Sequence, residues 1–163
     1  MLPAALLAMV VSGAAGGCPA PHVHTTANPL LPHGFRHDSR WIAPAPRRLL
    51  AVMWAGRAVD GRFSVYAHGF NPVTGINEKI MWVVPRKAVP LSGRTLRFEW
   101  RRDGRSVVQS QHGYPGSRHE RSARIYPSIL VAPSPGCWKL RVKIGRIKET
   151  MYVLVQPQPQ PEA

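Results

Sequence analysis

Polar and apolar residues alternate without a break along two segments, one in the middle and one near the end of the chain. The first is Thr95-Leu-Arg-Phe-Glu-Trp100 and the second is Trp138-Lys-Leu-Arg-Val-Lys-Ile144. Because successive side chains of a β-strand point to opposite faces, each segment would bury one apolar row and expose one charged row. We therefore predict a half-buried strand at each segment, with Trp100 and Trp138 in the core.

Six other segments have the length and apolar content of strands and are separated by turn-forming residues. They cover residues 49–54, 62–67, 79–84, 105–109, 125–131 and 148–155. Asp103-Gly104 predicts a two-residue hairpin because both central positions of such a turn need positive φ, and Gly145-Arg146 suits a turn with glycine first. No long segment outside the N-terminal region carries a helical apolar stripe. About seven or eight short strands with regular turns predict an all-β fold, an antiparallel sandwich.

The N-terminal region has the pattern of an export signal. Residues 1–17 contain no charged side chain, and the apolar run 2–11 is followed by small residues and then Cys18. A run of about ten residues is too short to span a bilayer as a helix. The order of apolar run, small residues and cysteine is similar to a bacterial lipoprotein signal, which predicts cleavage before Cys18 and a membrane-anchoring lipid on it. Ordinary cleavage, giving a periplasmic or extracellular protein, is the alternative.

Prolines recur in the next segment, residues 18–47, which has no sustained alternation. Because proline stiffens a chain toward an extended conformation, we predict a tether that holds the domain away from the membrane. Its end would be pinned by Phe35, Trp41 and Ile42. The last residues, 156–163, alternate proline with glutamine and predict a tail that cannot pair into a sheet. The sandwich is therefore assigned to residues 48–155.

Composition narrows the possible folds and functions. The 163 residues include 17 prolines and 14 glycines, which disfavour a bundle of long helices. Two cysteines exclude a dense disulfide scaffold and a four-thiolate zinc site. Lysine and arginine number 22 against 8 acidic residues, which gives a formal net charge of +14. Such a charge predicts an affinity for anionic partners.

The stretch Tyr126-Pro-Ser-Ile-Leu-Val-Ala-Pro133, followed by Ser134-Pro-Gly-Cys-Trp138 and an alternating strand, resembles the C-terminal half of uncharacterised bacterial exported proteins. Trp54 and the run Lys79-Ile-Met-Trp82 fit their early core strands. Many of these proteins are predicted lipoproteins with a single immunoglobulin-like domain. The resemblance therefore implies an immunoglobulin-like sandwich on the cell envelope, and it implies no enzymatic activity. The resemblance and the alternation together assign four side chains to the core: Trp54, Trp82, Trp100 and Trp138.

Three interpretations are open for Cys137. If Cys18 carries a lipid, Cys137 has no partner, and we expect a small buried free thiol at the entry of a strand. A disulfide between Cys18 and Cys137 is the first alternative, and it would tie the N-terminal segment to the domain. A reactive or metal-binding thiol is the second.

Four of the seven histidines lie in the predicted tether. His22 and His24 would point to the same side of an extended segment, and with His33 and His37 they form the candidate set for Cu²⁺ or Zn²⁺. The eight acidic residues are spread singly, and the chain contains no Gly-x-Ser-x-Gly, His-Glu-x-x-His or phosphate-binding glycine motif. We therefore expect no catalytic residue and no cofactor.

Basic residues concentrate on the polar faces of the two predicted hairpins. The candidates for an anion-binding surface are Arg97, Arg101, Lys139, Arg141, Lys143 and Arg146. Guanidinium and ammonium groups suit phosphate and carboxylate, so the expected partners are anionic envelope components: lipid headgroups, acidic polysaccharide or acidic protein surfaces. The alternative is an arginine-rich composition that merely solvates strand faces and protects sheet edges. Export argues against nucleic acid as a physiological partner.

These features predict a non-catalytic binding or structural protein of the cell envelope, lipid-anchored or secreted, with a basic surface. A periplasmic copper- or zinc-handling module is the alternative function. The two differ in the residues that bind, which are outward cations of the sandwich in the first and imidazoles of the N-terminal segment in the second.

Overall fold

The structure is a computed structural model, and it describes residues 17–28, 31, 40–44, 49–53, 57–71, 76–85, 95–112 and 123–159. The described residues do not include the predicted signal sequence, apart from Gly17. They also do not include His33, Phe35, His37 and Trp54. The described part of the chain is all-β, as predicted, with ten strands in two packed sheets, one further strand pair and no α-helix. Among these residues, no helix is long and apolar enough to cross a membrane.

Twelve strands follow one another along the described part of the chain. They are β1 (Arg40–Ile42), β2 (Leu50–Met53), β3 (Arg57–Val59), β4 (Arg62–Tyr66), β5 (Phe70–Asn71), β6 (Ile76–Asn77), β7 (Lys79–Pro85), β8 (Thr95–Arg102), β9 (Arg105–His112), β10 (Ala123–Ile129), β11 (Gly136–Ile144) and β12 (Ile147–Gln156). All eight predicted segments form strands, with ends that differ by a few residues. The four strands that were not predicted have two or three residues each, too few to display a period of two.

Two sheets pack face to face. The larger has the order β3-β4-β12-β11-β8-β9 and the smaller the order β1-β2-β7-β10, while β5 and β6 pair with each other. Neighbouring strands are antiparallel except β12 and β4, which run parallel with Leu154 opposite Ser64. The expectation of purely antiparallel sheets is wrong at this pair, because the chain between β4 and β12 crosses to the other sheet instead of turning in a hairpin. The fold is sandwich-like, and the immunoglobulin-like topology stays a prediction.

The apolar rows of the two alternating segments form the centre of the core. Trp100 is fully buried and Trp138 is 2% exposed, as predicted. Trp82 contributes from the smaller sheet, with its ring centroid 5.7 Å from that of Phe98 and its indole N–H donating to Ser128 Oγ at 2.8 Å. The other buried members of the two rows are Leu96, Phe98, Leu140, Val142 and Ile144. The core assignment is confirmed for these three tryptophans.

The hairpin turns adopt the backbone conformations that were predicted. The φ angles are 48° at Asp103 and 75° at Gly104, so both central residues are left-handed, and Gly145 has a φ of 57°. A turn like that at Asp103-Gly104, with positive φ at both central residues, also occurs at Asp60-Gly61 and joins β3 to β4. It was not predicted, because β3 is too short to identify from its sequence.

The Gly-Cys-Trp stretch opens β11 and anchors a neighbouring arginine. The Arg102 guanidinium lies over the Trp138 ring, with Cζ 4.5 Å from the ring centroid, and donates to the Pro135 carbonyl. The Trp138 indole N–H donates to the Ser134 carbonyl at 2.8 Å. A Cβ atom on Gly136 would overlap the guanidinium. Glycine at this position therefore permits the arginine to cover the tryptophan.

The first described part of the predicted tether, residues 18–28, is bound to the sandwich, and a free tether is wrong for it. The Phe63 N–H donates to the Pro21 carbonyl at 2.9 Å, and the Val23 N–H donates to the Gly61 carbonyl at 2.8 Å. These bonds pair the segment with the start of β4. Proline lacks an N–H donor but keeps its carbonyl acceptor, so a proline-containing segment still pairs where its other residues supply the donors.

The same segment also pairs with the smaller sheet. His24 and Trp41 of β1 exchange two backbone hydrogen bonds, of 2.9 and 3.0 Å, and their rings stack with centroids 4.2 Å apart. Ile42 is fully buried, so Trp41 and Ile42 do hold the end of this region, as predicted. The N-terminal segment therefore joins the two sheets along one side of the sandwich.

Candidate functional site

Cationic side chains cover the outer surface of three adjacent strands, β8, β11 and β12. The alternation that buries Trp100 and Trp138 turns the intervening residues to solvent. The exposed cations on these strands are Arg97, Arg101, Lys139, Arg141, Lys143 and Lys148. We call the outward side of these three strands the cationic face. Of the predicted candidates, only Arg146 lies off it, exposed in the turn between β11 and β12.

Three cations lie side by side at one end of the cationic face. Lys143 of β11 is opposite Arg97 of β8 and also opposite Lys148 of β12. Neighbouring strands are about 4.8 Å apart, so the three positions fall within about 10 Å across the sheet. Like charges this close create a positive potential that favours a bound anion.

The middle of the cationic face is ion-paired through Glu99. Arg141 Nη1 lies 3.3 Å from Glu99 Oε2, and Arg101 Nε donates to Glu99 Oε1 at 2.7 Å. The hydrogen bond from Arg101, assisted by the positive charges of Arg101, Arg141 and Arg97, holds the pKa of Glu99 below its ordinary value although desolvation opposes this. The carboxylate therefore stays ionised and neutralises part of the charge at the centre of the face.

The other end of the cationic face combines cations with an aromatic ring. Lys139 of β11 is opposite Arg101 of β8 and opposite Tyr152 of β12. Tyr152 is 38% exposed, so part of its side chain is open to a ligand. An amphipathic ring beside two cations offers both an apolar surface and positive charge to a ligand.

A recess lies at each end of the cationic face. The first has a volume of about 190 Å³ and is lined by Arg97, Glu99, Arg141, Lys143 and Lys148. The second has a volume of about 450 Å³ and is lined by Arg101, Cys137, Lys139, Tyr152 and the hairpin turn 102–106. Sites for small molecules usually have volumes of about 300–1,000 Å³. The first recess therefore suits a single anionic group, and the second suits a larger unit.

Sequence reasoning missed several polar members of this surface. Thr150 is opposite Arg141 on the face, and Ser106 and Ser110 of β9 are opposite Arg101 and Arg97. The alternation along β12 and β9 already places these hydroxyls on the outward side, but they carry no charge and gave no motif. The position of Glu99 between two arginines depends on the register of β8 against β11, which no sequence signal specifies.

Cys18 and Cys137 form a disulfide with a Cα–Cα distance of 5.4 Å. The buried free thiol expected for Cys137 is therefore wrong, and the alternative pairing is the one found. The disulfide lies at the start of β11, where Cys137 shares the outward side of the strand with Lys139. Lipidation of Cys18 would use the same sulfur atom, so the two modifications exclude each other, and lipidation stays a prediction.

Two of the four predicted metal ligands, His22 and His24, lie among the described residues. The His24 ring is stacked on Trp41, and His22 pairs its backbone with Arg62. Within the described ranges, no group of three or more His, Cys, Asp or Glu side chains is placed to hold a metal ion. His33 and His37 lie outside the described residues, so a site formed by all four histidines stays a prediction.

Two acidic residues in the described part of the chain are buried, which sequence reasoning missed. Glu78 is 1% exposed, and its Oε1 accepts a hydrogen bond from the Tyr66 N–H at 3.3 Å. Glu149 is fully buried on the inward side of β12, between Ile147 and Met151. The sequence contained a signal for Glu149, because it lies at one of the alternate positions of β12 that apolar residues otherwise occupy.

Comparisons of the chain with protein families, with curated proteins and with solved structures found no match.

Proposed function

We propose that this protein is an exported, non-catalytic binding protein of the cell envelope, built on an immunoglobulin-like sandwich, whose cationic face holds anionic envelope material. The observation that carries the proposal is the charge balance on β8, β11 and β12. Their outward side presents six exposed cations and the single carboxylate of Glu99. Charges held in one plane by a rigid sheet act together on a ligand, whereas scattered surface charges do not.

The chemistry of the cationic face supports anions as ligands. Arg97 and Arg141 present planar guanidinium groups, which can bind carboxylate and phosphate in a bidentate manner, and Lys143 adds a compact charge between the strands. The interaction would be steered by long-range attraction and weakened by salt, because the side chains are exposed.

The Cys18–Cys137 disulfide supports export, because disulfides persist in oxidising compartments outside the cytoplasm. In the disulfide form the sulfur of Cys18 cannot carry a lipid. We therefore propose a periplasmic or extracellular protein, with the lipid-anchored form as the competing outcome. Mass spectrometry of the mature protein before and after reduction separates the two, since only the disulfide form gains two hydrogen atoms.

The binding function is tested with two variants that remove equal charge from opposite sheets. Lys139→Gln with Lys143→Gln changes the cationic face, whereas Arg40→Gln with Lys79→Gln changes exposed cations of the smaller sheet. At about 0.1 M salt, we expect the first pair to lower the affinity for polygalacturonate and for phosphatidylglycerol vesicles about tenfold, a loss of about 1.4 kcal/mol. The second pair should change it little.

Two results would overturn the proposal. Equal losses from both pairs would mean that the charge acts only as overall composition. Binding that persists at about 1 M salt, where screening reaches only about 3 Å, would mean that recognition lies elsewhere on the protein.

A further inference from the structure

The cationic face is divided along its strands into two separate binding positions. Arg97 and Lys143 mark the first recess, and Arg101 and Lys139 mark the second. The ion-paired Glu99 lies between Arg97 and Arg101 on β8, and it also lines the first recess. Glu99 offsets positive charge at the centre of the face, so the acidic groups of a ligand that binds both positions lie toward the two ends, beside Lys143 and Lys139.

The spacing between the two positions follows from the register. Arg97 and Arg101 are four residues apart on β8, and their partners Lys143 and Lys139 are four residues apart on β11. Four residues of an antiparallel strand span about 13 Å. A ligand that occupies both positions must therefore be elongated and must carry acidic groups about 13 Å apart along the strands.

The uncharged groups of this surface fit a sugar chain. The exposed Ser106 and Ser110 and the half-buried Thr150 present hydroxyls that both donate and accept hydrogen bonds, which suits the hydroxyls of a carbohydrate. Tyr152, in the larger recess, offers a ring face to the C–H side of a sugar ring.

A bilayer fits the same surface less well. Surfaces that insert into lipid present bulky apolar side chains such as Trp, Phe and Leu beside their cations. Among the described residues, the exposed large hydrophobic side chains on the outward side of β8, β9, β11 and β12 are Val108 and Tyr152. Attraction to headgroups would remain, but an apolar anchor is lacking on this part of the surface.

We propose that the cationic face binds a linear acidic polysaccharide lengthwise along β11, with one acidic group in each recess and a sugar ring on Tyr152. This inference rests on the proposed function, because it identifies the ligand class of the same surface. Carboxylate and phosphate groups share the required chemistry, and the chain between them is a carbohydrate in either case.

The first test is a length series of galacturonic acid oligomers, from the monosaccharide to chains longer than about 13 Å. We expect the affinity to rise by at least about tenfold once an oligomer can reach both recesses, because the second acidic group then binds within the complex. Isothermal titration at about 0.1 M salt measures this rise. Lys143→Gln and Lys139→Gln should each abolish it, and Lys79→Gln should preserve it.

The second test separates a sugar chain from other sources of negative charge. Tyr152→Ala should weaken the long oligomer about tenfold and leave the binding of inorganic phosphate and of phosphatidylglycerol vesicles unchanged, because only the oligomer brings a ring to stack on the tyrosine. Tyr152→Phe, which retains the ring, should bind the oligomer like the unaltered protein.

The outcomes distinguish the two proposals. If none of these anions binds, the proposed function fails and this inference fails with it. If the anions bind but the affinity does not depend on oligomer length or on Tyr152, the polysaccharide assignment is overturned while the proposed function stands. Vesicles that bind more tightly than the longest oligomer would overturn it in favour of a membrane surface.

Discussion

Trp100 and Trp138 fill the core from two neighbouring strands of the larger sheet, β8 and β11. Both indoles are almost fully buried, so removing one takes away a large apolar volume and leaves a cavity in the core. We expect Trp100→Ala to lower the free energy of unfolding by about 3–5 kcal/mol, a large fraction of the roughly 5–15 kcal/mol of an ordinary domain. Urea unfolding measures the loss. The matched surface change Tyr152→Ala should shift the free energy by about 0.5 kcal/mol or less, and a loss as large as that of Trp100→Ala would contradict the assigned core.

Glu99 makes the free energy of unfolding depend on pH. Its pKa lies below the ordinary value of 4.5, chiefly because Arg101 donates a hydrogen bond to the carboxylate. A carboxyl group with a lowered pKa stabilises the folded state above its unfolded pKa, and this contribution is lost as the pH falls through the lower, folded value. The unfolding free energy of the Glu99→Gln variant should therefore depend less on pH below about 4.5.

The Glu99 titration can also be tested through Arg101, whose hydrogen bond is the main cause of the lowered pKa. Carboxyl chemical shifts give a second measurement, since Arg101→Gln should raise the pKa of Glu99 toward its ordinary value. A Glu99 pKa that does not respond to Arg101 would contradict the ion-paired centre of the cationic face.

At the scale of strands and turns, two glycines with similar backbone conformations should differ in how much an alanine substitution destabilises the protein. Gly69 and Gly104 have φ angles of 68° and 75°, so alanine costs about 1–2 kcal/mol of backbone strain at either position. A Cβ on Gly104 meets no atom within 4 Å, whereas a Cβ on Gly69 would overlap the Leu130 carbonyl, which is backbone and cannot rotate away. Gly69→Ala should therefore lower the unfolding temperature clearly more than Gly104→Ala. Equal shifts in thermal unfolding would mean that Gly69 has room for a side chain.

The elements were predictable from the sequence to the extent that they repeat with a period of two. Alternation identifies β8 and β11 and the burial of both tryptophans, and turn chemistry identifies the hairpin at Asp103-Gly104. Alternation gives no information about which strands are neighbours in a sheet, so the parallel pairing of β12 with β4 was not predicted. The alternation also predicts which cations point outward on the cationic face. The ion pairing of Glu99 depends instead on the register of β8 against β11, which is set by packing across the whole sheet.

At the scale of the whole molecule, the N-terminal segment connects the two sheets, and the disulfide holds it there. The disulfide joins residues 119 positions apart, so in the unfolded chain it closes a long loop. For a loop of this length the loss of chain entropy corresponds to about 4–5 kcal/mol of stabilisation. We expect Cys18→Ser with Cys137→Ser to lower the unfolding free energy by an amount of this order.

Reduction of the same disulfide should loosen one side of the sandwich before it affects the rest. The amides of Val23, His24, Trp41 and Phe63 all donate hydrogen bonds between the N-terminal segment and the two sheets. Without the disulfide, the segment can leave by local opening, so these amides should exchange with solvent faster in the reduced protein. Amides of the ladder between β11 and β12, which the segment does not form, are the internal control and should keep most of their protection. Hydrogen exchange followed by NMR measures the exchange rate of each amide separately.

If the four amides exchange at the same rate in the oxidised and reduced protein, then the backbone pairing alone holds the segment to the sandwich. The disulfide would then stabilise the fold only through its effect on the unfolded chain.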